Sequence, residues 1–441
     1  FVSIVPPYGI TISEDFRKEI TTLIERLFEI GFNIIIKKFS DLDSNGEFIN
    51  SLNWIKTHSR PKIVVGIFEE GGREKDGKLG EYNDVTNTIY IRIFGEDDFN
   101  HFREQIERTF FHEKAHLIFS QLSSDYIKKL IMDWYNEKID RDSLINSPVY
   151  KAERFLDEFF AELLSLLLLY ERYGDKIFGV RDYGFGQYYG FIEEGVFPFD
   201  YYYTLSFKTC KWSEARKDIV CTTQTSYYRK VDRYNPLMKM IIEKEKGNPK
   251  GVIDVPGQEY REDYKIRLPF VDFHNPDEIL KEFSIYTYRG IARYAYCVAN
   301  QLFRTLVIAN RVEDGWKFVY RILKRVREIK NEDDLLNLYR DVIKEFVATL
   351  INLRDFAKEA LIREIEERTK YLISKLPYYT STSDRVERFK IYLLPEIKRN
   401  LEVYRTINNL DSDYDNYQRR YENLKKYVEN ALKEVGISFS L

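Results

Sequence analysis

The residues with the clearest capacity for chemistry form one short run, Phe110-Phe111-His112-Glu113-Lys114-Ala115-His116-Leu117. It contains the pattern His-Glu-x-x-His, and two of the five histidines in the chain belong to it. In a helix, a spacing of four residues places His112 and His116 on one face, one turn apart. Two imidazoles so placed can bind a single tetrahedral metal ion, most often zinc. Glu113 stands beside them, where a carboxylate can act as general base toward water at the metal. The competing reading is a surface helix with two solvated histidines.

A catalytic zinc site takes three protein ligands and keeps one position open. Downstream of His116, the carboxylates in reach of a helical pattern are Glu153, Asp157, Glu158 and Glu162. Glu158 and Glu162 are four apart, so the first could ligate the metal while the second orients a ligand histidine from outside. Glu153 and Asp157 offer the same spacing. Periodicity alone therefore leaves two solutions, with Glu158 or Glu153 as the third ligand.

The order of these residues is similar to a known family. His112-Glu113-x-x-His116 followed by Glu158-Phe159-Phe160-Ala161-Glu162 resembles the gluzincin metallopeptidases of the anthrax lethal factor and Pro-Pro endopeptidase group. The resemblance implies a zincin-like α/β catalytic domain and one bound zinc ion. It makes His112, His116 and Glu158 the metal ligands and Glu162 an outer residue behind them. It also implies a tyrosine just before the ligand glutamate that hydrogen-bonds the reacting carbonyl. Tyr150 is the nearest match, one residue out of step, because Lys151 stands at the expected position. The stretch Gly80–Ile91 also resembles the strand that precedes the zinc helix in zincins. The likeness spans roughly residues 60–175.

Composition bounds the rest. With 44% hydrophobic and 32% charged residues, the chain has the balance of an ordinary globular protein, and its 441 residues suffice for two or three domains. A net charge of −3 gives no global field toward nucleic acid or an anionic membrane. Charge-rich, Tyr-rich and Ile-rich usage with three Cys and three Met is compatible with a thermophilic source. Cys210, Cys221 and Cys297 cannot make a disulfide framework, although Cys210 and Cys221 could pair. There is no Cys-x-x-Cys, no signal peptide, and no uninterrupted apolar run long enough to span a membrane. The run Leu163–Tyr170 reads as a buried helix. The chain opens on Phe1 rather than Met, and a cytoplasmic and a secreted setting both agree with it.

The elements that must position the motif follow from capping and periodicity. Ser13 is an N-cap for a helix to Ile30, which Gly31 is expected to end. Asn33–Phe39 and Lys62–Phe68 read as β-branched strands, with a short helix over Phe48–His58 between them. Glu69–Gly80, rich in glycine, reads as a polar loop. Asn87–Phe94 alternates strictly and reads as a half-buried strand. Its edge is either a platform for an extended peptide substrate or simply part of the core. The zinc-motif helix follows, amphipathic, capped near Asp97, Asp98 or Asn100, with Phe102, Ile106, Phe110, Leu117 and Phe119 facing the sheet. A helix near Ser124–Lys138 comes next. Ser147-Pro148 then opens a helix over Val149–Tyr173 that Gly174 stops.

Beyond residue 178 the character changes. Tyr183, Phe185, Tyr188, Tyr189, Phe191, Phe197, Phe199 and Tyr201–Tyr203 alternate with glycines, which suggests a β subdomain. A sharper reading makes 183–203 a protein-partner or substrate surface. Ser206–Trp212 and Asp218–Arg229 could form a hairpin that brings Cys210 and Cys221 together. Lys208, Lys211, Arg216, Lys217, Arg229 and Lys230 could contact a single nucleic-acid strand, but acidic residues are mixed among them and that reading ranks last. Residues 234–276 carry five prolines and read as an irregular linker, with His274 structural or solvated. From Asp277 to Lys375 no proline occurs, and Pro377 and Pro395 punctuate a last pair of helices. No catalytic motif is visible there.

The expectation is an α+β chain: a zincin-like domain at 1–178, an aromatic β-rich region at 179–275 and an α-helical domain at 276–441. Its expected function is zinc-dependent endopeptidase activity on a peptide or protein substrate, with Zn2+ as cofactor. Two other classes compete with it. One is a structural or interaction protein of a larger assembly, with an inactive or stabilising zinc site. The other is a metal-dependent regulator with one partner protein.

Overall fold

In the computed structural model the described residues are 1–7, 9–68, 79–135, 147–180, 196–197, 200–213, 218–230, 252–253, 265–267, 276–277, 280, 288–408 and 414–441. The architecture is α+β and mostly helical. Strand β1 (Val2–Val5) leads into α1 (Glu14–Phe39) and α2 (Glu47–His58), then β2 (Lys62–Ile67), β3 (Gly80–Asn83) and β4 (Thr88–Ile93). The sheet order is β1-β2-β4-β3; β1, β2 and β4 are parallel, and β3 runs antiparallel to β4 at one end. Helices α3 (Gly95–His101), α4 (Arg103–Leu122), α5 (Asp125–Tyr135) and α6 (Pro148–Tyr173) follow.

Helix α1 corrects two expectations. Ser13 does cap it, its hydroxyl accepting from Phe16 N at 3.2 Å, but the helix passes through Gly31 and takes in the expected strand Asn33–Phe39. Ile24, Leu27, Phe28, Phe32, Ile35 and Phe39 are all fully buried at helical spacing, so one continuous apolar face outweighs the local β preference of Ile34-Ile35-Ile36. Gly31 is there for space. A Cβ at this position would lie 2.3 Å from Lys114 Nζ and 3.2 Å from the Phe111 ring, because α4 crosses at that point.

Helix α4 is not amphipathic as expected. Every residue from Ile106 to Phe119 is buried, polar ones included. It starts after a break at Phe102 and has no side-chain cap, so none of Asp97, Asp98 and Asn100 caps it. Asp98 instead accepts from Phe94 N at 3.1 Å. Strand β4 lies inside the sheet, and β3 is the edge strand on the side of α4. Helix α6 has Ser147 before it and Pro148 in its first turn, and Gly174 (φ 58°) ends it. From Val149 to Leu169 every residue except Tyr150 and Arg154 is buried. A helix covered on all sides is the axis about which a core is built.

Past residue 180 the described strands are β5 (Val196–Phe197), β6 (Asp200–Ser213), β7 (Asp218–Lys230), β8 (Val252–Ile253) and β9 (Lys265–Arg267). The expected hairpin is β6–β7, and its register sets Cys210 opposite Cys221. Residues 183–191 and His274 lie outside the described residues. The chain then forms α7 (Tyr288–Ile308), α8 (Val312–Glu328), α9 (Glu332–Asn352) and α10 (Arg354–Ser374). Shorter pieces α11 (Leu376–Tyr379) and α12 (Ser383–Arg388) precede α13 (Leu394–Asn408) and α14 (Tyr414–Glu434). Helices α7, α8 and α9 pack directly on α6, and one hydrophobic core runs from Phe16 to Ile437. Among the described residues no helix is long and apolar enough to cross a membrane.

Candidate metal centre

Two buried helices and one from the C-terminal region meet at the His-Glu-x-x-His motif. Helix α4 supplies His112, Glu113 and His116, which are 4%, 6% and 7% exposed and form a group that could hold a metal ion. Helix α6 supplies Asp157, Glu158 and Glu162. Helix α7 supplies Tyr296 and Asn300.

The hydrogen bonds fix how the imidazoles point. His112 Nδ1 lies 3.2 Å from Glu162 Oε2, and His116 Nδ1 lies 2.7 Å from Asp157 Oδ1. An ionised carboxylate only accepts, so each Nδ1 carries a proton; a ring that holds no second proton then presents its Nε2 lone pair. Those two Nε2 atoms stand 3.0 Å apart. Glu158 Oε2 is 3.2 Å from the first and 3.4 Å from the second. Ligands about 2.0–2.1 Å from a tetrahedral metal stand about 3.3–3.4 Å from one another, so the triangle has the size of one face of such a site. Three acceptors crowded in this way need a proton or a metal ion among them.

The surrounding carboxylates favour positive charge at the imidazoles, which a proton or a metal ion can supply. Burial alone would lower the pKa of His112, but the carboxylates of Glu158 and Glu162 outweigh it and push the group up to about 9. His116 is likewise raised against its burial, by Asp157 and Glu158. Burial would raise Glu158, yet His116 and Arg154 hold it well below the usual carboxylate range. Glu162 is brought down to about 2 against its burial, chiefly by Arg108. Its Oε1 also pairs with the Arg108 guanidinium and accepts from Asn300 Nδ2 at 2.6 Å. Arg154 bridges Asp157 (3.0 Å) and Glu158 (2.7 Å). Each member of the cluster is thus held by a further partner behind it, as metal ligands require.

Glu158, not Glu153, reaches the histidine Nε2 atoms. Glu153 is buried nearby, with Oε1 unpartnered among the described residues; burial and then Asp157 push its pKa up to about 8. Tyr150 does not enter the site. It precedes Glu158 by more than two helical turns, about 12 Å along the axis, and its neighbours are Asp133, Tyr126 and Glu153. Lys151, at the position expected for the tyrosine, donates instead to Leu280 O at 3.2 Å. The tyrosine at the triangle is Tyr296. Its hydroxyl donates to Glu158 Oε2 at 2.8 Å and lies 3.5 Å from His112 Nε2. Its ring meets that of His112 edge-on, with centroids 5.2 Å apart.

Tyr296 and Asn300 escaped the sequence reading, which found no chemistry in the C-terminal region. Their spacing of four was the only available sign, and among 34 tyrosines it marks nothing. No family model, no curated protein and no solved structure matches the chain.

Proposed function

We propose that the chain is a zinc-dependent endopeptidase, with the metal held by His112 Nε2, His116 Nε2 and a Glu158 carboxylate oxygen. The observation that supports this most is the convergence of three acceptors of the zinc-ligand type, each hydrogen-bonded to a further side chain. The donor set of two imidazoles and one carboxylate is of the kind that holds catalytic zinc. When bound, zinc supplies Lewis acidity toward a water molecule and a substrate carbonyl.

The chain's own residues do the remainder. Glu113 follows His112 directly, and its carboxylate lies in the same group as the two imidazoles. It takes a proton from the attacking water and returns it to the leaving amine. Glu162 and Asp157 keep protons on Nδ1 of His112 and His116, which preserves the Nε2 lone pairs.

Strand β3 offers the substrate path. It is an edge strand, so an extended peptide can add to it through backbone hydrogen bonds. Gly80 lets its backbone run against the motif helix, since a Cβ there would stand 2.6 Å from Thr109 Cγ2 and 2.9 Å from Glu113 Oε1.

Metal content by mass spectrometry on the native chain, Glu158→Ala and Glu153→Ala tests this reading, beside turnover of a peptide library. The expected result is about one zinc per chain, lost only with Glu158→Ala, and hydrolysis that stops on chelation. Native chain that takes up no zinc would refute it. A second reading, a stabilising metal site without catalysis, is favoured by the near-complete burial of the cluster. It predicts zinc without turnover, and a fall in melting temperature on chelation.

A further inference from the structure

We propose that Tyr296 is a fourth, displaceable ligand of the metal, so that the site rests closed and opens when a substrate carbonyl takes the phenol's place. This builds on the metal reading above and adds regulation to it.

The geometry points to it directly. A tetrahedron of ligand atoms has six edges. Five of them are present among Nε2 of His112, Nε2 of His116, Oε2 of Glu158 and the Tyr296 hydroxyl, at 3.0, 3.2, 3.4, 2.8 and 3.5 Å. The phenol oxygen thus lies at ligand-to-ligand spacing from two of the three donors, Glu158 Oε2 and His112 Nε2. Its proton is directed at Glu158 Oε2, the same atom that closes the triangle with the two imidazoles. Once a cation draws on that oxygen, the phenol proton loses its acceptor, and the phenol oxygen is left facing the cation. Ligation then breaks the O–H bond, forms the bond from oxygen to metal, and releases the proton to water.

The phenol is presented by a braced helix. Tyr296 and Glu158 pair, and one turn further along both helices Asn300 and Glu162 pair. The Asn300 amide also donates to Tyr296 O at 2.8 Å. Tyr296 is half-buried, whereas the three other donor residues are buried. It is thus the donor that can most readily give way.

The test uses the full chain with Cu(II) in place of the native metal, read by visible absorption and resonance Raman spectroscopy. The expected result is a phenolate-to-copper charge-transfer band with tyrosinate vibrations. Tyr296→Phe should abolish the band, retain about one metal per chain, and weaken metal affinity by about ten- to a hundredfold. Acetohydroxamate, a bidentate mimic of the reacting carbonyl, should bleach the band in the native chain. One bound copper without the band would overturn this inference alone and leave Tyr296 as a hydrogen-bonding neighbour. A band that survives saturating acetohydroxamate would overturn displaceability. Native chain that binds no metal at all would overturn the metal reading, and this inference with it.

Discussion

Helix α4 buries charge on two faces, and the two are built differently. On one, His112 and His116 face α6 and α7 within a mesh of carboxylates, guanidinium groups and an amide. On the other, Lys114 is fully buried against α1, with Phe28 O at 2.8 Å as its acceptor and the Phe32 ring centroid 4.0 Å away. Burial lowers the Lys114 pKa well below its ordinary value, while the nearby Glu29 opposes this. The first face assembles charges of both signs that fix one another's geometry. The second isolates one amine at a cost. Buried ionic groups thus fall into two kinds, those that organise a site and those that the fold tolerates.

Experiments can break or sharpen this contrast. The largest effect is expected from Glu113→Gln, which should reduce peptide turnover by about 10²–10⁴-fold while the metal stays bound; retained turnover would remove Glu113 as the base. Glu162→Gln keeps the shape but loses the charge behind His112. Isothermal titration with zinc should show about 10–100-fold weaker binding, and an unchanged constant would mean that the mesh does no orienting. On the opposite face the sign reverses. Lys114→Met should leave metal binding intact and raise stability by about 1–4 kcal/mol in chemical denaturation. A loss of stability would show that the amine contributes more than its desolvation costs.

The smallest effect concerns Asp98, whose carboxyl is pushed up to about 6 mainly by burial. Its folded pKa exceeds its unfolded value, so the folded state holds the proton more tightly. Stability from this group is present at low pH and is lost as pH rises through 6. Asp98→Asn should therefore gain on the native chain above pH 6, by on the order of 1–2 kcal/mol, and the gain should vanish near pH 4. Parallel denaturation midpoints across that range would decide it.

The contrast also explains what the sequence could show. Local signals held where one element was enough: the Ser13 cap, strands β2 and β4, the Ser147-Pro148 start and the Cys210–Cys221 register. That His112 and His116 share a face, and that Glu158 comes within 3.4 Å of both, follows the same logic, since each lies on one helix with a readable period. Local signals failed where packing between distant segments decided the outcome. Gly31 reads as a stop until α4 is laid across it, and Ile34-Ile35-Ile36 reads as a strand until the apolar face of α1 is complete. Tyr296 and Arg108 belong to the site only because α6 and α7 meet α4, and no interval along the chain encodes that meeting. The tyrosine suggested by resemblance, Tyr150, lay too far along α6 to serve.

The paired steps Glu158–Tyr296 and Glu162–Asn300 bear on portability. A transplant of residues 1–180 would carry every position of the His-Glu-x-x-His and Glu-Phe-Phe-Ala-Glu motifs. It would nevertheless arrive with two carboxylates stripped of α7 and with the leucines of α6 facing water. The motif is short enough to copy, but the smallest working part is the bundle, and any attempt to miniaturise this protein should begin by keeping α7.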